Sequence, residues 1–274
     1  MSSSTASTSA ASSILERIFA AKRAELEAER AAVPFEAIRE AARNAPAPRD
    51  FLAALRAHRP AIIAEIKRAS PSKGDILPGL DPAAVARDYA ASGAAAISVL
   101  TDRHFKGSLE DLRRVRAAVN LPLLRKDFIF DAYQLHQARA AGADGILLIA
   151  AMLKEADLVA LYAAARELRL QALVEVHNEG ELRTAVRAGA EIVGINNRDL
   201  HTFVTDIAVT ERLLRDYRGA ALIVSESGID TPDDIRRLDR AGARAFLIGE
   251  SLLRGGDPRR KLEVLGSALE AGQG

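Results

Sequence analysis

Eight short apolar runs, separated by stretches with helical patterning, constrain the architecture of this chain more than any other feature. They are Ile62–Ile66, Ala95–Leu100, Leu121–Leu124, Gly145–Ile149, Ala172–Val176, Ile192–Ile195, Ala221–Val224 and Ala245–Ile248. Each is too short for a helix and rich in aliphatic residues, so each reads as a buried strand. The stretches between them open on helix-capping residues: Asp81-Pro82, Ser108, Asp131 and Thr231-Pro232. Several close on a small residue followed by Gly-Ala, at Ser92-Gly93-Ala94, Ala141-Gly142-Ala143, Ala188-Gly189-Ala190 and Ala241-Gly242-Ala243. Glycine suits the left-handed position that ends a helix.

Eight strand–helix units predict an α/β chain folded as a (β/α)8 TIM barrel with an N-terminal helical extension. An open doubly wound sheet is the alternative. It would usually carry a glycine-rich nucleotide fingerprint after its first strand, and Ser70-Pro71-Ser72-Lys73-Gly74 is not one. The expected organisation is a disordered, uncharged Ser/Ala/Thr tail over 1–13, the helical extension over 14–60 and the barrel over 61–274. Within the extension, helices are expected over Ile14–Val33, Phe35–Arg43 and Phe51–Ala57, with Asn44–Pro48 as a break. The extension could cap the bottom of the barrel, cover its mouth or mediate association.

Composition narrows the function classes. A 274-residue chain that is 49% hydrophobic can bury one large core. A net charge of +1 offers no global attraction to nucleic acid or an anionic membrane, and no apolar stretch is long enough to span one. The absence of cysteine removes disulfides, thiolate zinc sites and a cysteine nucleophile. The five histidines have no metal-ligand spacing, so no metal site is expected. A cytoplasmic location fits this profile.

Barrel active sites lie where the C-terminal ends of the strands meet. The chemically capable residues at those ends are Glu65 with Lys67, Lys126, Glu175, Asn196 with Arg198, and Glu226 with Ser227. Glu65 and Lys67 are two apart on one strand and share a face; a plain structural ion pair is the alternative. Ser70 follows the first strand, Ser227-Gly228 the seventh and Gly249-Glu250 the eighth. Phosphate sites in barrels frequently use the last two of these loops, where glycine lets backbone N–H groups approach an anion. The Arg68–Pro78 loop, with glycine inside and proline near its ends, is expected to act as a lid.

IIAEIKRASPSKG, LLRKDFIFDAYQ, LVEVHNEGEL, GINNRDLHTF, VSESGI and AFLIGESL occur in that order. Together they resemble indole-3-glycerol phosphate synthase across residues 14–262. The resemblance implies a phosphorylated small-molecule substrate, 1-(2-carboxyphenylamino)-1-deoxyribulose 5-phosphate, ring closure with loss of carbon dioxide and water, and no cofactor. It implies that Lys126 is the general acid, with a pKa lowered by desolvation and nearby cations. Lys67 would contact the substrate carboxylate, Glu175 would assist proton transfer, and Glu65 and Asn196 would orient the lysines and hold hydroxyls. Arg198 would hold the carboxylate end, and Phe105, Phe128 and Leu147 would wall the aromatic ring. Ser70, Ser227, Gly228, Gly249 and the backbone of Glu250 would cradle phosphate. His177 is expected at the rim without chemistry. A monomer or weak homodimer is expected, with contact to other tryptophan-pathway enzymes left open. A scaffolding barrel and a phosphoribosylanthranilate-isomerase-like enzyme are the competing readings; the complete charged set Glu65, Lys67, Lys126, Glu175 and Asn196 argues against the first, and two strand-end lysines with Arg-Lys-Asp-Phe argue against the second.

Overall fold

The computed structural model describes residues 14–70, 74–77, 79–200, 202–254 and 256–272. The tail expected over 1–13, residues 71–73 and 78 of the expected lid, and the Ser70 side chain lie outside the described residues. Eight parallel strands close into a barrel: β1 (Ala61–Ile66), β2 (Ala96–Leu100), β3 (Leu123–Lys126), β4 (Gly145–Ile149), β5 (Gln171–Val176), β6 (Ile192–Asn196), β7 (Leu222–Glu226) and β8 (Ala245–Ile248). Each pairs with its sequence neighbours, and β1 closes the ring against β8 with Ala61 opposite Ala245.

The helices begin and end as the local chemistry dictates. Asp81, Ser108, Asp131 and Thr231 each accept a backbone N–H of the helix they open, at Pro82–Ala91, Leu109–Ala118, Ala132–Ala140 and Pro232–Ala241. Gly93, Gly142, Gly189 and Gly242 all adopt positive φ, between 77° and 115°. At Gly142 a side chain would also collide with Arg116. The repeated small-Gly-Ala signature is therefore a repeated helix stop.

Two apolar cores follow from strand alternation. Outward residues such as Ile97, Val99 and Ile146 pack beneath the helices. Inward residues, among them Ile63, Leu124, Leu147, Leu173 and Val224, fill the barrel. The short helix α3 (Phe51–Ala57) adds Phe51, Leu52 and Leu55 to that inner core, and its Leu52 N–H donates to Gln171 at the start of β5. α3 thus plugs the bottom of the barrel.

The first helix, α1 (Ile14–Ala32), lies at the opposite end. Its buried Lys22 reaches Asp127 at 2.8 Å and Asp102 at 3.1 Å, both just past strand ends. The extension therefore does two of the three things left open: α3 seals the bottom and α1 borders the mouth. Among the described residues no helix is long and apolar enough to cross a membrane.

Three strands run further than the sequence expectation. The third spans Leu123–Lys126 rather than Leu121–Leu124, the sixth extends to Asn196 and the seventh to Glu226. A parallel ladder is built from backbone groups, so it continues through Arg125, Lys126 and Glu226 although the apolar run has ended.

Candidate active site

Along β1, β3, β5 and β7 the inward position one step above the apolar core carries Glu65, Lys126, Glu175 and Glu226. Four side chains from alternate strands make one layer of a (β/α)8 barrel. Here the topmost layer is ionic. The Lys126 ammonium lies 3.6 Å from Glu175 and 3.8 Å from Glu226. Lys67, one step further along β1, pairs with Glu65 at 2.7 Å. Asn196, at the end of β6, donates to Glu175 Oε1 at 3.1 Å and accepts the Arg198 N–H.

Neighbouring strands make room for this layer with glycine. A Cβ at Gly194 on β6 would stand 2.1 Å from Glu226 Oε1, and one at Gly249 would stand 2.4 Å from Glu65 Oε1. Gly194→Ala is therefore expected to displace the Glu226 carboxylate and to destabilise the barrel by about 1–3 kcal/mol, the usual cost of overpacking. Urea denaturation checks the second effect and a crystal structure the first. An unmoved Glu226 at unchanged stability would show that the layer has slack.

The electrostatics correct the expectation for Lys126. Its neighbours are carboxylates rather than cations. Burial would lower its pKa, but Glu175, Glu226 and Glu65 outweigh burial and hold it above the ordinary lysine value. Burial likewise opposes ionisation of Glu175, yet Lys126, His177 and Asn196 keep it well below the carboxylate range. Glu65 is held low by Lys67 and Lys126 against the same burial penalty. Glu226 goes the other way: burial and the neighbouring Glu175 charge push it up, more than Lys126 can offset. Two buried carboxylates thus face one ammonium, one favoured as the anion and one as the acid. Glu226 is 1% exposed. The sequence reading noted it at a strand end without giving it a role; its spacing of two from the inward Val224 was the available signal.

A cavity of about 530 Å³ opens above this layer. All of Glu65, Lys67, Lys126, Glu175, Asn196, Arg198, Phe105, Phe128 and Leu147 line it, as do Ser227, Gly228, Gly249 and Glu250. One wall is apolar: the Phe105 and Phe128 rings stand 6.5 Å apart, tilted by 35°, with Leu147 on β4 and Ile18 from α1 nearby. The β7 and β8 loops make another wall. Ser227 and Gly228 both hold positive φ, 66° and 78°, which turns the chain sharply at the cavity. For Ser227 this left-handed backbone costs about 1–2 kcal/mol, and its carbonyl is anchored by the buried Asn197 amide at 3.1 Å.

Two further side chains carry ion pairs at or next to the site. The Glu250 carboxylate lies 3.6 Å from Arg198 and is also paired with Arg254, so at the phosphate position it contributes an anion flanked by two guanidinium groups. His177 follows directly on the end of β5. It lies between Glu175, at 3.3 Å, and Glu181, at 3.1 Å. Within the Arg-Lys-Asp-Phe segment Lys126, Asp127 and Phe128 line the cavity and Arg125 does not. Arg125 points outward, to Asp127 at 2.8 Å and the Gln134 carbonyl, while Asp127 binds Lys22. Among the described residues no group of three or more His, Asp or Glu could hold a metal ion; the ammonium of Lys126 lies between the carboxylates of the ionic layer.

A sequence model of indole-3-glycerol phosphate synthase matches residues 15–265. The indole-3-glycerol phosphate synthase of Roseiflexus sp. (strain RS-1) is 52% identical over 263 residues, covering 92% of this chain and 98% of that protein. The Chromobacterium violaceum protein of the same name is 48% identical over 259 residues, with 93% and 98% covered. Among solved structures, thiamine phosphate pyrophosphorylase from Pyrococcus furiosus superposes with a TM-score of 0.58 at 17% identity, over 78% of this chain and 96% of that one. That likeness concerns the fold alone.

Proposed function

The chain belongs to the indole-3-glycerol phosphate synthase family, and from that premise we propose how its strand-end residues divide the work. The reaction is the ring closure of 1-(2-carboxyphenylamino)-1-deoxyribulose 5-phosphate to indole-3-glycerol phosphate, with loss of carbon dioxide and water, a carboxy-lyase step of tryptophan biosynthesis. The observation that carries the assignment is the ionic layer of Glu65, Lys126, Glu175 and Glu226, set between an aromatic slot and the left-handed Ser227-Gly228 turn.

The substrate phosphate enters the cradle of Ser227, Gly228, Gly249 and the Glu250 backbone N–H, with Ser70 approaching from the first loop. Its aromatic ring lies along Phe105, Phe128 and Leu147. Lys67 and Arg198 take the benzoate carboxylate, and both are cations already seated on carboxylates of the site. That places the ketone beside Lys126. As the ring carbon attacks, negative charge develops on the carbonyl oxygen, and an ammonium fixed by flanking carboxylates stabilises and protonates it. Decarboxylation restores the aromatic system. Loss of the hydroxyl then needs a proton delivered and a proton removed. The carboxyl favoured as acid, Glu226, and the one favoured as base, Glu175, stand on either side of Lys126. Asn196 holds Glu175 in place. We place the enzyme in the cytoplasm, a location its cysteine-free composition supports.

The Lys67 assignment has a direct test. An analogue lacking the benzoate carboxylate is expected to bind wild type weakly, and Lys67→Ala is expected to lose most of the preference for the carboxylated compound. Competitive inhibition constants for the two ligands on both proteins supply the four numbers needed. A Lys67→Ala variant that still strongly prefers the carboxylated ligand would transfer the role to Arg198.

A further inference from the structure

Glu175 is gripped from above by a group that the reaction scheme does not use. Strand alternation puts His177 on the same face as Glu175, one step nearer the mouth. Its Nε2 lies 3.3 Å from Glu175 Oε1, the oxygen that already accepts from Asn196. Its Nδ1 lies 3.1 Å from Glu181 Oε2. Glu181, in the helix Glu179–Arg187, is itself fixed: the His177 backbone N–H donates to it at 2.8 Å and the Asn178 amide at 2.5 Å. The imidazole is largely buried, with 13% of its side chain exposed. The buried ring thus has a hydrogen-bonded carboxylate at Nδ1 and a second carboxylate at ion-pair distance from Nε2.

We propose that His177 is a positioning residue which, as an imidazolium bridging Glu181 and Glu175, fixes the orientation of Glu175 and selects it over Glu226 as the ionised member of the carboxylate pair. The inference rests on the reading of Glu175 as the reaction's base. The groups facing the imidazole are Glu175 on the strand that His177 directly follows, Glu181 on the following helix, and the more distant Glu226, whose ionisation the imidazolium also favours. Burial would discharge the ring, but hydrogen bonds and charge from Glu175 and Glu181 outweigh it and lift its pKa to about 10. The cation is thus present throughout the neutral range. The consequence is a division of labour. Oε1 of Glu175 accepts from Asn196 and lies in ion-pair contact with His177, while Oε2 is the oxygen nearer Lys126. Glu226, lacking such a clamp, keeps its proton. Without the cation at position 177, Glu175 ionises less readily and the difference between the two carboxyls narrows.

The sign of the expected effect is fixed. Removing a cation next to a carboxylate raises that carboxylate's pKa, so activity that requires ionised Glu175 fails at a higher pH as the solution is acidified. In His177→Gln the acid limb of the kcat/KM profile is expected to move up by about one pH unit, the scale of a neighbouring opposite charge. KM at the pH optimum should stay within about twofold. Glu181→Gln, which weakens the cation without touching the cavity, should move the limb the same way by less, and it serves if His177→Gln folds poorly. In the resting wild-type protein, nitrogen NMR should find both ring nitrogens of His177 protonated at pH 8, a result independent of turnover. A neutral His177 ring at that pH overturns the proposal. So does a pair of variants that lose rate uniformly with the acid limb unmoved, which is the signature of a merely structural role. Absence of product from wild type alongside a protonated His177 ring would instead count against the assigned reaction.

Discussion

Lys126→Met is expected to lower kcat by roughly a hundredfold or more, the scale on which general acid catalysis contributes, while KM changes by much less. The side chain sits at the end of β3 with Glu175 and Glu226 within 4 Å, and those charges hold it protonated. Its value to the reaction lies in the charge that develops on the carbonyl oxygen, which is absent from the ground state, so its loss should appear in kcat. Lys126→Arg separates two contributions. Arginine keeps the positive charge and cannot give up a proton under working conditions. A variant that recovers most of the rate would reduce Lys126 to an electrostatic role; one that stays within about tenfold of the Met variant supports proton donation. Near-wild-type turnover in Lys126→Met would remove the residue from the mechanism.

The largest expected effect on stability lies on the other face of the same strand. Arg125 is 2% exposed. Its guanidinium donates to Asp127 at 2.8 Å, to the Gln134 carbonyl at 2.8 Å and to Thr101 Oγ1 at 3.2 Å. Asp127 in turn holds Lys22 of α1. Arg125→Met removes one of the two cations paired with the buried Asp127 and the guanidinium donor to the Gln134 carbonyl. Breaking a buried pair in this way costs about 3–5 kcal/mol. The urea midpoint should fall accordingly. Arg187 is the control: its bidentate pairing with Glu155 at 2.8 Å is equally well formed but exposed, and exposed pairs contribute little. Arg187→Met should leave the midpoint nearly unchanged. Equal shifts in the two variants would mean that burial is not what makes the Arg125 cluster matter.

The barrel was legible because its signals are local. A helix stop needs only a glycine that can adopt positive φ, and Gly93, Gly142, Gly189 and Gly242 do so; a helix start needs only a side-chain acceptor, as at Asp131 and Thr231. Strand ends were less legible at β3 and β7, since ladder pairing ignores the polarity of the side chains it carries. The cavity set was legible as a list, because strand-end position alone places a residue near the mouth. Its electrostatics were not. The groups that set the charge on Lys126 come from strands two and four places further round the barrel, and no spacing rule reveals which of them keeps a proton. The glycine at position 194 carried a hint in retrospect: an inward glycine next to a strand ending in glutamate marks the space that glutamate occupies. The Arg-Lys-Asp-Phe segment misleads in the opposite way, since its Arg and Asp mainly hold the fold.

We propose that the side chains of this strand-end layer close the indole ring. Indole fluorescence, followed as purified protein meets synthetic 1-(2-carboxyphenylamino)-1-deoxyribulose 5-phosphate in EDTA-containing buffer, tests it most directly. The expected result is steady product formation by the wild-type chain, one carbon dioxide released per indole, with Lys126→Met near baseline. A folded wild-type protein that yields no indole signal, or a Lys126→Met variant that matches it, would contradict the account.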